Sequence, residues 1–138
     1  MAYATISHVS ALDRGREPFT PATKPTEAEV VRFIEQRAGE IDVILRTRDY
    51  LMPVPTAYTG ALAMLELYNA QGADCLVQQA AVNSSRRKEA CAAWEAAKKL
   101  LMEGDLGLPI DPASFGIPSG GTDRDPIFGL ATGAYDSG

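Results

Sequence analysis

Between Thr26 and Thr47 the sequence permits little besides one long amphipathic helix. Thr26 and Glu29 form a T-x-x-E capping box, in which each end residue satisfies an orphan amide of the first turn. Behind it Val30, Phe33, Ile34, Ala38, Ile41 and Leu45 keep the i, i+3, i+4 rhythm of a single helix face. Glu27, Arg32, Glu35, Gln36, Glu40 and Asp42 fall largely on the other side. Gly39 interrupts the middle, where it costs about 0.5–1 kcal/mol relative to alanine. It therefore predicts close approach by another helix.

Other helices follow from the same rhythm. Ile6, Val9 and Leu12 predict a short helix within Thr5–Arg14, with Gly15 able to stop it. Pro18, Pro21 and Pro25 then predict an extended stretch running over the surface. After the long helix, Pro53 and Pro55 exclude helical angles for the residues before them, so RDYLMPVPT is a rigid connector. Its Tyr50, Leu51, Met52 and Val54 predict that it packs on the body. Helical spacing resumes with Tyr58, Leu62, Leu65 and Tyr68. Asn69-Ala-Gln-Gly72 can end this helix or merely weaken it, and Asp74 can cap a continuation to about Val82. The pattern leaves one helix and two segments equally open. Asn83-Ser84-Ser85 then offers N-caps for a helix from Arg86 to Met102, with Ala90, Trp94, Ala97 and Leu101 on one stripe and Gly104 closing it.

Beyond Gly104 the composition changes. Residues 105–138 are rich in glycine, proline and aspartate, and no helix or strand period survives. Yet Phe115, Ile117, Ile127, Phe128, Leu130 and Tyr135 are spread along it, and a solvated linker is poorer in such residues. The fold expected is all-α: a small bundle of three to four main helices plus a short N-terminal helix, followed by a long irregular C-terminal arm. Residues 1–104 form the body and 105–138 the arm. The arm's apolar residues are expected to contact a neighbouring subunit or another protein, with Arg86 and Arg87 as further interface candidates.

Composition narrows the chemistry. With 138 residues there is room for one modest core. A net charge of −5 argues against a nucleic-acid-binding face, which needs clustered cations. Arg86-Arg87-Lys88 is such a cluster, but Glu89 follows at once, so it reads as a solvated or subunit-facing patch. His8 is the only histidine, which excludes sites needing two imidazoles and leaves little for a Ser/His or Cys/His pair. Cys75 and Cys91 sit in apolar helical surroundings without a CxxC, and read as two reduced core thiols. Asp123 and Asp125 lack the further oxygens of a calcium loop, and Ser119-Gly120-Gly121-Thr122 lacks the lysine of a phosphate loop. No catalytic residue, cofactor site or metal site is expected, and the chain is not expected to be an enzyme. The N-terminus has no signal-peptide pattern and no apolar run approaches the roughly 20 residues of a membrane span.

The order of features carries a resemblance. FTPATKPTEAEV opens a helix ending AGEIDVILRTRDY, the turn LMPVP leads to an Ala/Leu-rich helix, and SSRRKEACAAWEAAKKLLMEGDLGLP closes the body. Over residues 3–109 this resembles the head–tail connector (adaptor) proteins of tailed bacteriophages. The resemblance implies a helical protomer in a homo-oligomeric ring, commonly of twelve copies. The ring would sit in the virion neck, beneath the portal protein at the capsid vertex. It would meet a downstream neck or tail protein and extend the channel through which packaged DNA passes without specific binding. Acidic walls suit such a channel, because they repel phosphate. The alternative from another class is a small helical regulator, or an adaptor that binds a host protein.

Overall fold

The computed structural model describes residues 2–13, 19–81 and 84–115. Four α-helices make up the body: α1 (Ile6–Leu12), α2 (Glu27–Thr47), α3 (Thr59–Ala80) and α4 (Arg87–Glu103), followed by a 3-10 turn at Pro112–Phe115. The expected all-α class is what the described residues adopt. Their single β-type pairing is an isolated antiparallel bridge between Tyr50 and Ile110.

Helix α2 starts where its capping box requires. The Glu29 amide donates to Thr26 Oγ1 at 3.2 Å, and the Thr26 amide donates to Glu29 Oε1 at 2.8 Å. The face it buries follows the spacing at Val30, Ile34, Ala38, Ile41 and Leu45, while Phe33, expected on the same face, is only partly buried at its edge. Helix α4 likewise buries Ala90, Trp94, Ala97 and Leu101. Its start differs from expectation. Arg86 is the N-cap residue and offers no side-chain cap, while Ser84 Oγ accepts the Arg86 amide at 3.2 Å; Asn83 lies outside the described residues.

Helix α3 is central, packing against α1, α2 and α4. It is one unbroken helix of 22 residues. From Asn69 to Gln78 it is enclosed on nearly all sides, which is why small and polar residues such as Gly72, Asp74 and Gln78 are buried there. The close approach expected at Gly39 occurs instead at Gly72. A Cβ on Gly39 would meet nothing within 4 Å, whereas one on Gly72 would stand 2.8 Å from Arg37 Cγ and 2.9 Å from Trp94 Cε3. The indole of α4 and the stem of Arg37 on α2 thus meet over a bare patch of α3 backbone. Arg37 completes the contact by donating to the Gly72 carbonyl at 3.0 Å and placing its guanidinium 4.8 Å from the Trp94 ring centroid.

The cysteines also depart from expectation: Cys75 and Cys91 are joined in a disulfide. Helices α3 and α4 form an antiparallel hairpin. Cys75 lies five residues before the end of α3 and Cys91 four residues after the start of α4, so the two face each other with Cα atoms 4.5 Å apart. Local sequence spacing does not show that juxtaposition; the hairpin creates it.

The connecting segments are more firmly seated than their composition suggests. Phe19 and Pro25 are buried in the stretch expected to lie on the surface. The connector after α2 buries Tyr50 and Val54, as its apolar content predicts. Chain beyond Gly104 doubles back onto this connector: the Leu51 amide donates to Pro109 O at 2.8 Å and the Asp111 amide to Asp49 O at 2.7 Å. Leu106 is buried in the same core cluster as Trp94 and Leu101. The body's packing therefore continues to about Asp111, past the point where composition changes.

Candidate functional site

A groove of about 1050 Å³ lies between the second half of α2 and the first half of α3. Helix α3 supplies Thr59, Leu62, Ala63 and Glu66, a stripe at i, i+3, i+4 and i+7 that helical geometry places on one face. Asp42 and Arg46 come from α2 one turn apart. The connector closes one end with Tyr50, Met52 and Val54, and the chain returning after α4 adds Asp111 and Ala113 to the rim. The floor is largely apolar, while the rim carries four carboxylates (Asp42, Asp49, Glu66, Asp111) against one guanidinium, Arg46.

Tyr3 forms one wall, and its position is fixed from below. Asn69 of α3 is fully buried; its Oδ1 accepts the amides of Tyr3 at 2.9 Å and Ala4 at 3.0 Å, and its Nδ2 donates to Ile34 O at 2.9 Å. One side chain thereby ties the N-terminal segment to both α2 and α3. The Tyr3 hydroxyl donates to Asp42 Oδ1 across the groove. Burial, reinforced by that hydrogen bond and by the Asp42 charge, raises the Tyr3 phenol well above its ordinary range, with Arg46 opposing. The phenol thus stays a neutral donor. At the neighbouring edge, His8 Nδ1 accepts the Thr5 amide at 2.9 Å and Nε2 stands 3.4 Å from Glu66 Oε1. The lone histidine thus closes the start of α1 against α3.

The interface candidates named from sequence are scattered. Arg86 turns inward: its guanidinium lies 3.1 Å from Asp74 Oδ2 and 3.7 Å from Asp13 Oδ2, with Glu89 at 3.4 Å. Burial disfavours the Arg86 cation, but Asp74, Asp13 and Glu89 outweigh it, so its pKa is raised. Gln78 extends the cluster, donating to Asp74 at 3.1 Å and Asp13 at 3.0 Å and accepting from the Ser84 hydroxyl. This network locks the ends of α1 and α3 to the start of α4. Arg87 is exposed and directs its guanidinium toward the Gln78 and Ala81 carbonyls at the end of α3, a favourable place for a cation. Phe115 ends the final 3-10 turn. Ile117, Ile127, Phe128, Leu130 and Tyr135 lie outside the described residues, as do Asp123, Asp125 and Ser119–Thr122.

Sequence reasoning missed the groove because its lining comes from five separate segments. Of its lining, the sequence singled out Tyr50, Met52 and Val54 as a connector packing on the body and Leu62 as part of an apolar helix stripe, and both read as core. Among the described residues no group of three or more His, Cys, Asp or Glu side chains is placed to hold a metal ion, and no helix is long and apolar enough to cross a membrane. No family model, curated protein or solved structure matches this chain.

Proposed function

We propose that this chain is a structural subunit of a phage neck, forming an adaptor ring between the portal and the next neck or tail component. The observation that carries the proposal is the succession of features over residues 3–109: a capped long helix, a proline-bearing turn and two further helices, continued by an arm that keeps apolar residues among its glycines and prolines. Extended arms that bury apolar side chains on neighbouring subunits gain in assembly what they lose in chain entropy. In this reading the acidic surface repels the phosphates of passing DNA, and no catalysis is required.

Arg86 weighs against the regulator alternative. Its three-cation patch would have to recruit an acidic partner, and Arg86 is already committed to Asp74 and Asp13. Native mass spectrometry and negative-stain imaging of the purified chain, alone and with portal protein, test the ring. Rings or portal-bound assemblies are the expected result. A chain that remains monomeric and ignores portal refutes the proposal, and salt-dependent DNA affinity would favour the regulator. Truncation should be made after Phe115 rather than Gly104, because Leu106 and residues 109–111 belong to the body's packing. The shortened chain should keep its helix content and lose assembly.

A further inference from the structure

The groove and the arm meet in the chain itself. Ala113 lines the groove, and residues 116–138 begin three positions after it. The groove's chemistry selects among those residues. With four carboxylates against Arg46 on its rim, it disfavours an occupant that brings more carboxylates, and its floor of Tyr50, Met52, Val54 and Leu62 favours apolar side chains. Asp123 and Asp125 do not meet that requirement. The stretch from Pro126 to Tyr135, PIFGLATGAY, does: it holds no Asp, Glu, Lys or Arg, and it carries Ile127, Phe128 and Leu130 within four positions.

Reach is not limiting. The chain from Phe115 to Pro126 spans up to about 36 Å when extended, and the groove begins at Ala113. A covalent tether of this length holds its end near the groove at an effective concentration on the order of millimolar. Doubling such a loop adds only about 0.6 kcal/mol of closure cost. At ordinary protein concentrations the chain's own arm therefore outcompetes the arm of a second copy.

We propose that in the isolated subunit the groove between α2 and α3 is occupied by the chain's own C-terminal arm, with Ile127, Phe128 and Leu130 inserted. The contact keeps the arm's apolar residues off other surfaces until a partner offers a better site. It does not depend on the neck-ring reading. A monomer with an occupied groove would keep this inference and refute the ring, and an assembling chain with an open groove would do the reverse.

Methionine methyl NMR on the full chain tests it, because Met52 lies in the groove and Met102, exposed on α4, lies away from it. Accessibility is read as relaxation enhancement by a soluble gadolinium chelate. Substituting both Ile127→Asp and Phe128→Asp, or stopping the chain after Phe115, should raise the Met52 enhancement at least about three-fold and leave Met102 unchanged. In the unaltered chain, protection of Met52 should persist on tenfold dilution. Equal Met52 enhancement in full and shortened chains would overturn the proposal. Protection that fades on dilution would also overturn it, assigning the groove to the arm of a second copy.

Discussion

Two glycines in the bundle should respond to the same substitution with opposite signs. Gly39 and Gly72 both lie inside long helices, so replacing either with alanine removes about 0.8–1 kcal/mol of helix-propensity penalty. At Gly39 nothing lies within 4 Å of the new methyl, so the whole gain is realised. Gly39→Ala should stabilise the protein by about 0.5–1 kcal/mol. At Gly72 the methyl would stand 2.8 Å from Arg37 Cγ and 2.9 and 3.0 Å from two carbons of the Trp94 ring. Arg37 is held by its bond to the Gly72 carbonyl and by a 3.0 Å ion pair with Glu40, and the indole is only 1% exposed, so neither yields freely. Overpacking of this kind costs roughly 1–3 kcal/mol, and after the propensity gain about 1 kcal/mol of net destabilisation remains. The two variants should therefore differ by about 2 kcal/mol, roughly 8 °C in Tm for a domain of this size. Urea and thermal unfolding followed by circular dichroism at 222 nm, run in parallel on both variants, measure the difference. If Gly72→Ala unfolds at or above the temperature of Gly39→Ala, the packing argument for the α2–α3–α4 junction is wrong.

Three further outcomes follow from the same contacts. Asn69→Ala strands the Tyr3 and Ala4 amides and removes a second bond from the Ile34 carbonyl, so it should cost about 2–4 kcal/mol; hydrogen exchange at Tyr3 and Ala4 should rise before that of the α2–α3 core. Glu29 is held below its ordinary 4.5, first by the Thr26 amide it accepts. Because the folded-state value is depressed, its contribution is complete above about pH 4.5 and is lost as pH falls through the lowered value. Between pH 6 and pH 3 the parent should lose more stability in urea unfolding than Glu29→Gln, and equal losses would discount the capping box. Reducing the Cys75–Cys91 bridge opens a covalent loop of sequence separation 16. That should lower stability by about 3 kcal/mol, and an unfolding midpoint indifferent to dithiothreitol would show the thiols to be free in solution.

What the sequence determined by itself is the local architecture. A helix end is fixed by its own few residues, so Thr26 and Glu29 placed the start of α2, and the 3.6-residue period named the buried stripe of α4 and, apart from the partly buried Phe33, that of α2. The connector's packing was legible as well, because Tyr50 and Val54 have no other use in a proline-bound segment. Tertiary structure decided the rest. Asn69, Gly72 and Asp74 look like a helix break in one dimension, and nothing local marks Gln78 for burial. Each is acceptable inside α3 because a residue distant in sequence completes it: Tyr3 and Ile34 at Asn69, Trp94 at Gly72, Arg86 at Asp74, Asp13 at Gln78. The disulfide and the groove belong to the same class. Both exist only where segments far apart in the chain are brought side by side, and a period or a cap records nothing about what the other side of a contact will be.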